Sequence, residues 1–278
     1  MLFLCLTVLS SSAISLIMRI SANRVSAKLS MLCFNYLTCA LLGAAYAGFD
    51  LICPEVSGFS VTVALGAVSG VLFLGGFVLF QWSTSVNGIV LSSIFMKLGL
   101  LVPMALSALL FREFPTWIQL IGFCIAIASI VLINLKKGQT GSRLIWPLVA
   151  TLLVCGGADF MTKVFEVFGP AALTEQFLFY TFFVALALCA VLVVFKKERP
   201  GIRDLFFGVA IGIPNFFASK FLLLSLTKLP AVVVFPSFSI ATMLIVTLAG
   251  VLFFKERLQK LQWIALVGIL IALFLLNI

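Results

Sequence analysis

Ten apolar runs of about 20 residues each, parted by short polar breaks, decide what this chain can become. They lie at 2–22, 29–48, 60–82, 86–110, 115–135, 144–165, 173–195, 203–226, 230–253 and 258–277. A run of that length spans a hydrocarbon core near 30 Å as an α-helix. Composition excludes the alternative of a soluble fold. Of 278 residues, 63% are hydrophobic and 10% charged, with mean hydropathy +1.29, whereas soluble chains are about half apolar and a quarter charged. A large share of any soluble surface must face water, so the solvent here is lipid. The expectation is an all-α membrane protein of ten transmembrane helices. The first 15 residues are apolar and end in small side chains, as a secretory signal does. They lack a positive start, and no soluble domain follows, so they read as the first span.

The breaks carry turn chemistry: Asp50 to Gly58, Asn87-Gly88, Glu113 to Pro115, Lys136-Lys137-Gly138 on to Arg143, and Lys196 to Gly201. Too few residues remain for a soluble domain, so any function lies in the helix bundle. Seven cysteines are scattered without a C-x-x-C pair, and the chain has no histidine. Zinc, haem and iron–sulfur sites need clustered thiolates or imidazoles, so no metal or cofactor is expected. The net charge of +9 reads as loop charge facing anionic lipid, with no nucleic-acid partner.

The chain repeats itself. Shifted by 143 residues, Phe111, Glu113, Gln119, Ile121, Leu132 and Asn134 fall on Phe254, Glu256, Gln262, Ile264, Leu275 and Asn277. Gly66-x-x-x-Gly70 in span three recurs as Gly208-x-x-x-Gly212 in span eight, and Tyr36 in span two answers Tyr180 in span seven. The expected organisation is a first five-helix repeat over 1–135, a basic connecting loop over 136–143, and a second five-helix repeat over 144–278. An odd number of spans per repeat inverts the second relative to the first. Secondary transporters recurrently follow that plan, with solute held near the midplane.

Twelve Lys and Arg fall in the loops after the odd-numbered spans, against Arg112 and Lys228 in the others. The positive-inside rule puts the twelve in the cytoplasm and both termini outside.

Several residues carry a resemblance. Asn87-Gly88-Ile89, Lys97, Pro103 and Phe111-Arg112-Glu113 in the first half, with Phe254-Lys255-Glu256-Arg257 and the final span in the second, resemble the EamA branch of the drug/metabolite transporter superfamily. The resemblance implies a ten-helix inverted-repeat transporter with a central cavity lined by spans one, three, four, six, eight and nine. It also implies cytoplasmic termini and a basic C-terminal tail, which the sequence ending at Asn277-Ile278 lacks. The twelve-to-two charge bias sets the expected orientation instead.

Ionisable groups inside spans are costly and are functional candidates. Lys97 sits near the middle of span four, as a cation for a solute carboxylate or phosphate or as a packing bridge. Asn215 follows Pro214 in span eight, where proline removes a backbone donor and frees a carbonyl. Asp159 and Lys163, four apart on span six, share a helix face as an internal pair. Lys220 caps a cavity or snorkels. Gln81, Trp82, Ser237, Ser239 and Thr242 offer neutral hydrogen bonds, although such hydroxyls commonly bond their own backbone. Pro103, Pro214 and Pro236 are candidate hinges. The GxxxG pairs read as packing surfaces, and Glu113 and Glu256 as helix caps or partners of Arg112 and Arg257.

The expected function is secondary transport of small polar solutes, anionic or zwitterionic such as amino or organic acids, by alternating access. The candidate substrate contacts are Lys97, Gln81, Asn215, Lys220 and Ser239. A proton is the candidate coupling ion, on Asp159 or Glu175. The expected setting is the bacterial cytoplasmic (inner) membrane, as a monomer or weak homodimer. An intramembrane enzyme would need a catalytic cluster that the sequence lacks. A lipid-moving or structural protein fits poorly with polar groups spread over four spans.

Overall fold

The computed structural model describes residues 1–22, 24–48, 50–52, 55–134, 144–254 and 260–277. The readings placed on Cys53-Pro54, on the 136–143 loop and on Lys255-Glu256-Arg257 fall outside the described residues. Every regular element described is helical. The helices are α1 (Leu2–Ser21), α2 (Lys28–Tyr46), α3 (Phe59–Asn87), α4 (Ile89–Leu98), α5 (Leu101–Phe111) and α6 (Trp117–Asn134). They continue as α7 (Ile145–Phe168), α8 (Thr174–Phe195), α9 (Ile202–Leu226), α10 (Ala231–Phe254) and α11 (Lys260–Leu276). Among the described residues eight stretches are long and apolar enough to cross a membrane, and two shorter apolar helices run over Trp117–Leu132 and Trp263–Leu276. Leu109, Val194, Phe206 and Phe253 are each more than two-thirds exposed. Water does not favour so much bare hydrocarbon; the bilayer does, and the protein is an integral multi-pass membrane protein.

Local chemistry sets the helix ends. Gly88 adopts φ 80°, open to glycine, so a single residue separates α3 from α4. Asn87 grips the backbone ahead of α7: its amide donates to the Leu144 carbonyl at 3.0 Å and its oxygen accepts from the Leu144 N–H at 2.9 Å. Thr116 and Gln119 form a reciprocal capping box at the start of α6. Glu113 accepts from the Ala231 N–H at 2.7 Å and so caps α10, a helix distant in sequence.

The fourth apolar run, continuous in sequence, is two helices. Leu100 N–H reaches the Lys97 carbonyl at 3.4 Å and Val102 N–H the Gly99 carbonyl at 2.9 Å. These three-residue bonds tighten the backbone between α4 and α5. Close packing explains the interruption. A Cβ placed on Gly156 of α7 would collide with the Gly99 carbonyl oxygen and sit 2.7 Å from Val102 Cβ. Only paired glycines let the two backbones approach so far.

The chain gathers into two compact units. One comprises Met1–Leu74 with Met161–Ser225, the other Gly75–Phe160 with Leu226–Ile278. Each unit draws helices from both halves of the sequence. In the first, α2 packs along α8. Gly66 and Gly70 of α3 seat on α8, and Gly208 and Gly212 of α9 seat on α2. The seats correspond closely. Gly66 faces Tyr180 Cβ, Phe177 O and Thr181 N, where Gly208 faces Phe34 Cβ, Met31 O and Asn35 N. Gly70 faces Thr181 O and Val184 Cβ, where Gly212 faces Asn35 O and Thr38 Cβ. Every partner on α8 stands 146 positions after its counterpart on α2. The GxxxG pairs are packing surfaces, as expected of small residues between helices in lipid. In the second unit, α6 packs along α11 around Leu100, Phe123, Ile130, Ile240 and Ile269.

Candidate functional site

In the second unit a cation and a carboxylate come within electrostatic range of each other near the α4–α5 junction. Lys97 occupies the last turn of α4, two residues before Gly99, where a positive charge also suits the negative end of the helix dipole. Asp159 lies on α7, three residues past Gly156 and one turn past Cys155. The Gly99–Gly156 approach brings α4 against α7 at this level. Lys97 interacts electrostatically with both Asp159 and Cys155. Both members of the charge pair are half-buried. A charge within a span needs a partner, and each supplies the other's. An ammonium and a carboxylate together offer a polar solute both donors and acceptors.

Other polar groups of this unit fall into two kinds. Some are bonded internally: Ser83 and Ser92 share a hydrogen bond at 2.7 Å, and Asn277 donates to Ser237 at 3.1 Å. Others keep bonding capacity. The buried hydroxyls of Ser107 and Thr242 have no hydrogen-bond partner among the described residues. Gln81 and Ser239 are half-buried, and Trp82 is about half exposed. Pro103 is buried in α5, and Pro236 lies within α10.

In the first unit two lysines hold close carboxylate partners. Lys220 of α9 pairs with Glu175 at the start of α8 at 2.7 Å, and its ammonium lies 3.7 Å from the centre of the Tyr46 ring. Cation–π attraction adds to such a pair. Lys163 binds Glu166 at 2.7 Å one turn further along α7. Pro214 is accommodated inside α9. Beside it the Asn215 amide donates to the buried Asn35 oxygen at 3.2 Å, and the Cys39 thiol reaches the Gly212 carbonyl at 3.2 Å.

The sequence placed Asp159 and Lys163 on one helix face, and they are. The structure gives Lys163 a contact with Glu166 and sets Asp159 against Lys97 from another helix. Reasoning from sequence passed over Asn35 and Tyr46. An asparagine in the apolar run of span two was the available signal for the first. Nothing local marks Tyr46, whose role depends on Lys220 arriving from α9.

A multi-pass helical membrane protein, with a charge pair set at a break inside an apolar span, is the class that fold and site define. Residues 143–278 match the sequence model of the EamA-like transporter family. The match is consistent with the drug/metabolite transporter superfamily and suggests a membrane transporter. Over 287 residues the chain is 24% identical to a protein of Haemophilus influenzae described as uncharacterized, covering 98% of this chain and 96% of that one. A solved crystal structure matches with a TM-score of 0.80 at 15% identity, over 99% of this chain and 94% of its own. That likeness is one of fold.

Proposed function

We propose that the protein is a secondary transporter of small polar metabolites, anionic or zwitterionic such as amino or organic acids, working by alternating access. The observation that carries this reading is the half-buried Lys97–Asp159 pair at the α4–α5 interruption. Charge held there is costly, and an interrupted helix beside it costs more again. Packing of Gly99 on Gly156 accounts for the interruption but not for the two charges. In this reading Lys97 holds the solute's carboxylate, Asp159 holds its ammonium or a coupling proton, and Gln81 and Ser239 supply neutral hydrogen bonds. Asn215 and Lys220 contact solute only by exchanging their present partners, Asn35 and Glu175. Pro103, Pro214 and Pro236 absorb the bending between states.

The reading includes ten spans in two inverted halves, 1–135 and 144–278, joined by the basic 136–143 loop on the cytoplasmic side. Reciprocal seating of the two GxxxG pairs, each on the second helix of the other half, supports it. The setting is a bacterial inner membrane, and the working form a monomer or weak homodimer. The test is uptake by proteoliposomes of a panel of radiolabelled amino acids and organic acids. At least one solute is expected to accumulate, with uptake lowered about 100-fold by Lys97→Ala, as when one member of a desolvated charge pair is removed. Accumulation that the substitution leaves at the wild-type rate for every solute would sink the reading.

A further inference from the structure

Two thiols from opposite halves of the sequence meet inside the first unit. Cys33 of α2 and Cys189 of α8 lie within interaction range of each other across these two helices. Cys189 also reaches across to the Leu29 carbonyl at 3.5 Å, one turn before Cys33. The same helix pair has a second crossing. A Cβ built on Gly43 of α2 would lie 3.1 Å from Phe179 Cα and 3.3 Å from Phe179 Cβ. In the offset of 146 that relates the two helices, Phe179 corresponds to Cys33 and Cys189 to Gly43. One crossing thus pairs a glycine with a phenylalanine, and its counterpart pairs two cysteines. Bridged cysteines hold their Cβ atoms about 3.5–4.5 Å apart, a spacing that suits so close an approach.

We propose that Cys33 and Cys189 are an oxidisable pair that closes to a disulfide when a hydroperoxide reaches Cys33, covalently joining α2 to α8. Cys33 is half-buried and Cys189 fully buried, which assigns their order of reaction. Cys33 lies five residues in from Lys28 and Cys189 six in from Phe195, about 8–9 Å along the helix axis, so a small peroxide has little apolar depth to cross. The Cys33 thiolate attacks the peroxide, breaking its O–O bond, releasing an alcohol and leaving a sulfenic acid on Cys33. The Cys189 sulfur then attacks that sulfur, forming the S–S bond and expelling water. In sum, two thiols and one hydroperoxide give one disulfide, one alcohol and one water. The two sulfurs lose the two electrons that the peroxide gains. Both helices belong to one compact unit, so the bond is a staple within it. The proposal is independent of the transport reading.

The test uses full-length protein in which Cys5, Cys39, Cys53, Cys124 and Cys155 are replaced by alanine, together with its Cys33→Ala and Cys189→Ala derivatives. Each is treated with tert-butyl hydroperoxide, denatured and reacted with a maleimide tag. The two-thiol protein is expected to take no tag after oxidation and two after reduction, while migrating as a monomer on a non-reducing gel. Its Tm is expected to rise by roughly 5 °C on oxidation, and neither derivative should show that rise. Two tags after oxidation overturn the proposal. So does oxygen added to Cys33 with Cys189 still free, or a disulfide found only in dimers.

Discussion

The two compact units treat charge in opposite ways. In the first, Lys220 and Lys163 each sit 2.7 Å from a glutamate, and Lys220 is further covered by Tyr46. In the second, Lys97 of α4 and Asp159 of α7 attract each other electrostatically, both half-buried, close to the α4–α5 junction. The lesson is that a charged residue in an apolar span is no marker of a site by itself. Closed contact on a helix end reads as architecture. Charges set across two helices at the junction between α4 and α5 read as capacity to bind.

The difference can be broken at its foundation first. Gly156→Leu should drive a side chain into the Gly99 carbonyl and Val102, which the crossing cannot absorb. Overpacking of this kind costs about 3 kcal/mol or more when backbone must move, and the variant should be lost from the folded fraction in fluorescence size-exclusion runs. Wild-type yield would mean that α4 and α7 do not need their glycine contact. Lys97→Ala should be milder for folding and severe for uptake. A double-mutant cycle with Asp159→Asn should reveal coupling of about 1–3 kcal/mol; additive effects would dissolve the pair. Glu175→Gln strips Lys220 of its counter-charge. A loss of about 1–2 kcal/mol in thermal unfolding is expected, since removing one partner of a partly buried pair costs less than at a sealed site. Uptake per folded molecule should stay within about twofold, in contrast with Lys97→Ala. The smallest effect belongs to Thr116→Ala, which removes half of the α6 capping box for about 1 kcal/mol, read as a modest fall in Tm with unchanged uptake.

Much of the fold was legible because lipid imposes a length on every crossing helix. The apolar runs mark α1–α3 and α7–α10 within a few residues, and the recurring GxxxG pairs mark the surfaces on which α3 and α9 sit. The interruption at Gly99 was not legible. A glycine in an apolar run carries no mark of whether a partner backbone will press against it, and that partner, Gly156, is 57 residues away. The site was half legible for the same reason. Lys97 stood out by its depth, and Asp159 by its place in an apolar span. Their pairing needed α4 and α7 side by side, whereas helical spacing suggested the intrahelical pairing of Asp159 with Lys163. Glu113 repeats the lesson on the side of stability: its place after α5 pointed to a local cap, and folding carries its carboxylate to the start of α10.

The account turns on Lys97 being available to solute while Lys220 is committed to structure. The direct measurement is a thermal-shift titration of purified protein with amino acids and organic acids, run in parallel on wild type, Lys97→Ala and Lys220→Ala. Saturating solute at about 100 times its dissociation constant stabilises a binding protein by about 2.7 kcal/mol, a readily visible rise. The account predicts a solute that raises the Tm of wild type and Lys220→Ala by similar amounts and leaves Lys97→Ala unmoved. A solute that stabilises Lys97→Ala as well as wild type, and fails on Lys220→Ala, would contradict it.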